Sequence, residues 1–300
     1  MRPPRLREGD TIALVAPAGP VPPDLLDAAL PVLRGWGVRV EVGACVRAAP
    51  GTPYYLSDSD SARAAEFTEA WLDPSVHCVL AARGGYGTQR MLDLVDWPAL
   101  RAAGPKIFAG SSDVTALHRA VDVHLGLDSL FSPMPATTLF DEVAAEQLRR
   151  TLFEPEKTRI LRSTGFETLV PGQATGRLCG GNLAVLAAGI GTPEHRPADG
   201  IAVLEDVTEN VYRLDRLFTQ LLRSGWFDGV SGVVLGSWDD CGDPAKIRAM
   251  LVDRLGPLGV PVVGEFGFGH VPGSPTLPLG AEAELDAGLG TLTLLSPALS

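Results

Sequence analysis

The feature that most restricts the fold is an alternation of periods. Through the first half of the 300-residue chain, strand-sized apolar runs are separated by longer stretches with helical spacing. Residues 11–16 (TIALVA) read as a strand. Residues 23–35 follow as a helix, with Leu25, Leu26, Ala29, Leu30 and Leu33 on one face. Further strands are expected over 38–42, 76–81 and 106–109, and helices over 59–72, 88–94 and 113–123. Strands joined through intervening helices must cross over, and such crossovers are right-handed, so the strands lie parallel with both faces covered. The expected class is α/β, with an N-terminal parallel-sheet domain of the Rossmann or flavodoxin-like kind.

The second half has a different texture. Residues 153–174 are polar and without helical period, and read as the connection into another domain. A glycine-rich turn and helix are expected at 180–188, strands at 200–205 and 229–236, and a helix around 214–223. Residues 260–269 and 281–295 alternate like short antiparallel strands. The expectation is a smaller C-terminal α+β domain rich in strands. The division falls at 155–170, giving domains 1–160 and 161–300.

Composition enters by exclusion. The chain carries 25 Lys and Arg against 36 Asp and Glu, a formal charge of −11. An acidic surface without a basic stripe repels phosphate backbones, so nucleic acid is not an expected partner. No apolar run has the length of a secretory h-region or a membrane span, and a cytoplasmic protein is expected. The 4 cysteines stand singly, without metal-ligand spacing, so neither disulfide nor metal nor cofactor is expected. Cys78, inside an apolar run, reads as a small buried hydrophobe.

Several segments place reactive side chains where chemistry is feasible. In Lys106–His118 (KIFAGSSDVTALH) a strand runs through small residues straight into a helix. That turn can push a hydroxyl out at the carboxyl edge of a sheet, beside unpaired helix N–H groups, as a nucleophile elbow does. It equally suits an N-cap at Ser112 or Asp113. Arg83-Gly84-Gly85-Tyr86-Gly87 follows the third strand; its glycines either present N–H groups to a ligand or make a tight turn. The strand at 201–204 delivers Glu205 and Asp206 at its end, as surface charges or as partners for a histidine. Of the 5 histidines, His270 sits in the Gly- and Pro-rich loop GFGHVPGSP, the kind of segment that carries binding side chains.

Taken together, these segments resemble the LD-carboxypeptidase family (peptidase family S66), which includes murein tetrapeptide carboxypeptidases and microcin-immunity peptidases. The resemblance rests on GDTIALVAPAGP from Gly9, ARGGYG from Ala82, GSSDVT from Gly110, GGNL from Gly180, LEDVTENVYRLDR from Leu204 and GHVPGSPTLPLG from Gly269. It implies a Ser–Glu–His triad of Ser112, Glu205 and His270. It also implies an oxyanion hole from the backbone amides of Gly85 and Asp113. The position before the family's nucleophile is usually aromatic; here it is Ser111. The two halves would then supply different parts of one site, in the cleft between them.

The resemblance further implies a muropeptide or other small peptide substrate, cut to release a terminal D-alanine in cell-wall recycling, and a homodimer. Arg83 and Gly84 are the expected substrate-binding residues, because a planar guanidinium can grip a free carboxylate; Arg83 equally suits an outward charge at a strand end. Two other readings stand beside this one. A microcin-immunity-like amidase acting on aminoacyl or peptidyl nucleotides would need a stacking platform, which Trp238 could offer. A non-catalytic peptide-binding protein would keep the cleft without turnover. An acidic protein that binds a carboxylate should, in any case, have a locally electropositive pocket.

Overall fold

A computed structural model describes residues 1–49 and 53–300. Among these residues fourteen strands run in chain order. They are β1 (Thr11–Val15), β2 (Arg39–Val42), β3 (Val76–Ala81), β4 (Ile107–Gly110), β5 (Ser129–Phe131), β6 (Ile160–Arg162) and β7 (Glu167–Val170). Then come β8 (Gln173–Asn182), β9 (Asp199–Val207), β10 (Gly229–Asp239), β11 (Val262–Gly264), β12 (Leu277–Leu279), β13 (Glu282–Asp286) and β14 (Thr291–Leu294).

The first sheet has six strands in the order β12-β5-β4-β3-β1-β2. From β1 to β5 all neighbours pair in parallel, as the alternation of strands and helices requires. Every residue of β1 is buried, as is nearly all of β3, which is the signature of strands covered on both faces. The helices Pro23–Arg34 and Asp60–Leu72 lie where expected. The first buries Leu26, Leu30 and Leu33; the second is capped by the Ser59 hydroxyl. The expected helix at 113–123 is built in three pieces: a 3₁₀ turn at Ser112–Val114, an α-helix at Thr115–Ala120 and a π turn at Val121–Leu125. Two sizeable helices, Trp97–Ala103 and Glu142–Phe153, and the three-residue β5 add to the expected set.

The second sheet has eight strands in the order β6-β14-β13-β8-β9-β10-β11-β7. Its centre, β8 to β11, is parallel, and antiparallel strands flank it on both sides. Residues 153–174 are therefore not a bare connection: they supply β6 and β7 at the sheet's two edges. Edge strands carry polar residues outward, which hides their period. Gly180 and Gly181 lie within β8 rather than in a turn, and the helix begins only at Leu183. Of residues 260–269 only Val262–Gly264 is a strand; it pairs antiparallel with β7, as expected, and in parallel with β10. The expected antiparallel hairpin at 281–295 is present as β13 and β14.

The two sheets meet through covalent and polar links. Leu277–Leu279, late in the chain, returns to pair antiparallel with β5 at the edge of the first sheet. The Asn182 N–H, at the end of β8, donates to the Thr115 hydroxyl at 3.0 Å. Arg177 on β8 reaches Asp122 at 2.6 Å. These links bring the carboxyl ends of β4 and β9 to a common cleft.

Candidate active site

The turn after β4 is strained at one residue. Ser112 has φ +60°, a conformation that non-glycine residues adopt rarely and at a cost of about 1–3 kcal/mol. Neither Ser112 nor Asp113 caps the helix that follows: the N-cap position is Ser111, and its side chain makes no capping bond. The Asp113 carboxylate turns aside and accepts the Thr88 N–H at 2.8 Å. Burial pushes this carboxyl above the usual range, and the bond from the Thr88 N–H partly offsets that. Beneath the turn lies His118, fully buried. Its Nε2 is 2.9 Å from the Gly110 carbonyl and its Nδ1 2.8 Å from the Ser129 hydroxyl. Burial pushes this ring down to about 4, so at neutral pH it is an uncharged strut under the serine turn.

The loop after β3 packs against that turn. A Cβ on Gly84 would lie 2.9 Å from the Ser112 Cβ and 3.0 Å from its Oγ, so only glycine lets the two segments approach this closely. The Gly84 carbonyl accepts the Gly19 N–H at 3.0 Å, joining this loop to the one after β1. Gly85 follows at φ +115°. Among the described residues no acceptor takes the N–H of Gly85 or that of Asp113.

The other half of the site comes from the second sheet. Glu205, near the end of β9, has 0% exposure, and its Oε2 lies 2.7 Å from Nδ1 of His270. The Asn182 amide donates to Glu205 Oε1 at 3.2 Å and to Asp206 Oδ1 at 3.0 Å, giving two adjacent buried carboxylates one donor in common. Burial, reinforced by the Glu205 charge, pushes Asp206 up to about 6. Burial alone would push the His270 ring down. The Glu205 hydrogen bond and the charges of Glu205, Asp206 and Asp239 outweigh it, and the ring titrates above its ordinary value. Two serines fix the loop: Ser237 Oγ accepts the His270 N–H at 2.9 Å, and Ser274 Oγ accepts the Gly269 N–H at 3.0 Å. Gly269 has φ +102°, and a Cβ there would sit 2.6 Å from Glu205 Oε2.

Ser111, Ser112, Arg83, Gly84, Gly85 and His270 line one cleft of about 430 Å³. Among the described residues no carboxylate lines it, and Arg83 is its one permanent charge. The Arg83 guanidinium is half-buried and anchored to the Pro20 carbonyl at 2.6 Å. Arg83 thus supplies a cation to this cleft in a chain of net charge −11, while the buried Glu205 carboxylate stands 2.7 Å from His270. Trp238 stands elsewhere. It packs against Phe218, with ring centroids 5.9 Å apart, and lines a different cleft with Asp239 and Arg248. His195 lines a separate cavity of about 100 Å³ beside the Thr115–Ala120 helix. His124 pairs with Glu194 and His77 with Asp10. All 4 cysteines are buried free thiols. Among the described residues no three His, Cys, Asp or Glu side chains gather to hold a metal ion.

Asn182, Ser237, Ser274 and Thr88 belong to this arrangement but are not among the residues the sequence nominates. Asn182 had a signal in the GGNL run. Ser237 had none, because it lies in an ordinary strand and acts only by where β10 places it.

The sequence matches the LD-carboxypeptidase N-terminal domain over residues 12–132 and the LD-carboxypeptidase C-terminal domain over residues 175–285. The chain belongs to the LD-carboxypeptidase family. A Streptomyces coelicolor protein, provisionally named a carboxypeptidase, is 55% identical over 100% of this chain and 97% of its own length. The murein tetrapeptide carboxypeptidase of Pseudomonas aeruginosa is 33% identical over 92% of both. Among solved structures, muramoyltetrapeptide carboxypeptidase from Oxalobacter formigenes superposes with a TM-score of 0.81 at 30% identity, covering 95% of this chain and 97% of that one. MccF in complex with glutamyl sulfamoyl guanosine gives 0.88 at 23% identity, over 100% and 99%, a likeness of fold. Among the described residues of this family member, no helix is long and apolar enough to cross a membrane.

Proposed function

We propose that this chain is a serine-type LD-carboxypeptidase that releases the terminal D-alanine from murein tetrapeptides during cell-wall recycling. One observation carries the reading. The strained Ser112 opens into the same cleft as His270, whose far ring nitrogen is held by a fully buried glutamate. A hydroxyl, an imidazole and a buried carboxylate in that order are the parts of acyl-transfer catalysis. The names of the P. aeruginosa and O. formigenes relatives support the substrate class.

In this mechanism Ser112 Oγ attacks the carbonyl carbon of the bond to D-alanine, and His270 Nε2 takes its proton. Glu205 holds the ring in the tautomer protonated at Nδ1 and stabilises the imidazolium that forms. The oxyanion of the tetrahedral intermediate accepts the N–H groups of Gly85 and Asp113, which are free to receive it. Collapse breaks the C–N bond as His270 returns the proton to the departing amine. Water, deprotonated by the same ring, then cleaves the acyl-enzyme. Arg83, with Gly84 beside it, takes the substrate's terminal carboxylate.

In this reading the enzyme works in the cytoplasm as a homodimer and binds no nucleic acid. A nucleotide-bearing substrate would need a stacking surface beside Ser112, and Trp238 lines another cleft. The test is D-alanine release from a murein tetrapeptide, followed by mass spectrometry. Ser112→Ala is expected to lower turnover by at least about 10³-fold. Near-normal turnover by that variant would overturn the reading, and an intact chain that binds the peptide without cutting it would favour a binding protein.

A further inference from the structure

The two oxyanion donors come from separate loops, and their spacing must be held by something other than the amides themselves. Arg63, on the helix Asp60–Leu72, is 1% exposed. Its Nη1 donates to the Gly87 carbonyl at 2.9 Å and also to the Pro17 carbonyl, its Nε to the Asp58 carbonyl at 3.2 Å, and its Nη2 pairs with Asp60. One guanidinium therefore ties the loop after β1 to the end of the Gly84–Gly87 loop. Just beyond that point the Thr88 N–H is held by the Asp113 carboxylate. Asp113 carries one oxyanion donor of that mechanism on its backbone and, through its side chain, grips the residue after the loop that carries the other. A buried charged group needs fixed partners; for Arg63 these are carbonyls of the loops after β1 and β3, and for the Asp113 carboxylate the Thr88 N–H that follows the second of them.

We propose that the Arg63 guanidinium and the Asp113 carboxylate are positioning groups that set the distance between the Gly85 and Asp113 amides. The proposal rests on the triad reading above. It assigns work to the Asp side chain of GSSDVT, which the triad leaves unused, and to an arginine outside every motif. Displacing an oxyanion donor by about 1 Å costs on the order of 10²-fold in rate, whereas ground-state binding of a peptide does not depend on that distance.

The full-length chain is measured as the parent, Arg63→Met, Arg63→Lys, Asp113→Ala and Asp113→Asn, with Ser112→Ala alongside. Each is assayed for kcat and KM on the tetrapeptide, for affinity to the tripeptide product, and for affinity to a tripeptide aldehyde that forms a hemiacetal with the serine. Thermal unfolding checks the fold. The Met and Ala variants are expected to lose about 10²-fold in kcat and in aldehyde affinity together, with KM and tripeptide affinity within about threefold. The Lys and Asn variants are expected to fall between, about fivefold below the parent, since each keeps one of the hydrogen bonds. Folded Met and Ala variants with kcat near the parent's would overturn the proposal, as would tripeptide affinity lost in step with kcat. If those two do not fold and the conservative pair equals the parent, the role is structural and the proposal falls. Normal turnover by Ser112→Ala would remove the triad reading itself; an inactive Ser112→Ala beside unimpaired Arg63 and Asp113 variants removes only this proposal.

Discussion

His270 is a ring pulled in two directions, and the balance sets the pH range in which it can act as a base. Desolvation favours the neutral ring, while the buried Glu205 and the charges of Asp206 and Asp239 favour the cation and prevail. A base must be neutral to take a proton, so the acid limb of kcat/KM should lie above the ordinary imidazole value near 6.5. Glu205→Gln removes the nearest charge and leaves the burial. The ring should then titrate at lower pH than in the parent, and turnover should fall by about 10⁴-fold, as loss of the orienting carboxylate does in other triads. An NMR titration of the His270 ring reads the first effect independently of activity. An unchanged midpoint in the variant would mean that Glu205 does not govern this histidine.

At the scale of elements, the serine turn depends on what lies under it. His118 ties the end of β4 to β5 through the Gly110 carbonyl and the Ser129 hydroxyl, and it does so as a neutral ring held down to about 4. A group whose folded value is depressed below its unfolded one binds fewer protons when folded, so stability is lost as pH falls from about 6.5 through about 4. The full loss is about 3 kcal/mol from this one side chain. His118→Gln cannot charge, so its urea-unfolding free energy should fall less steeply over that interval than the parent's. Equal slopes would show that the ring titrates freely in the fold. The same stretch shows how far the sequence could be read. Strands β1 and β3 were legible because both faces are buried and the apolar run is unbroken. β5 was not, since three residues hold no period, and β6 and β7 were not, since edge strands alternate too weakly. Ser112, Glu205 and His270 stood in recognisable runs. Arg63 looked like any helix charge, because its burial depends on three loops that meet only in the folded chain.

For the whole molecule, the net charge and the Arg83 guanidinium in the cleft have opposite signs, and the two act over different distances. The −11 charge is spread over the surface and repels an anionic peptide from afar, whereas Arg83 acts within the cleft at hydrogen-bond range. Salt separates them. Raising ionic strength from about 0.01 M to 0.15 M shortens the screening length from about 30 Å to about 8 Å, so kcat/KM for an anionic tetrapeptide should rise rather than fall. Arg83→Gln should raise KM for that peptide by about 10–100-fold, the worth of a charge-assisted pair, at either salt concentration. The C-terminal amide of the same peptide has no carboxylate for the guanidinium to grip, so its KM should be nearly the same in parent and variant. Equal losses for acid and amide would instead assign Arg83 to holding the Pro20 carbonyl, and the carboxylate of the substrate would need another partner. A fall in kcat/KM with salt would mean that the field of the cleft reaches beyond its mouth and outweighs the acidic surface around it.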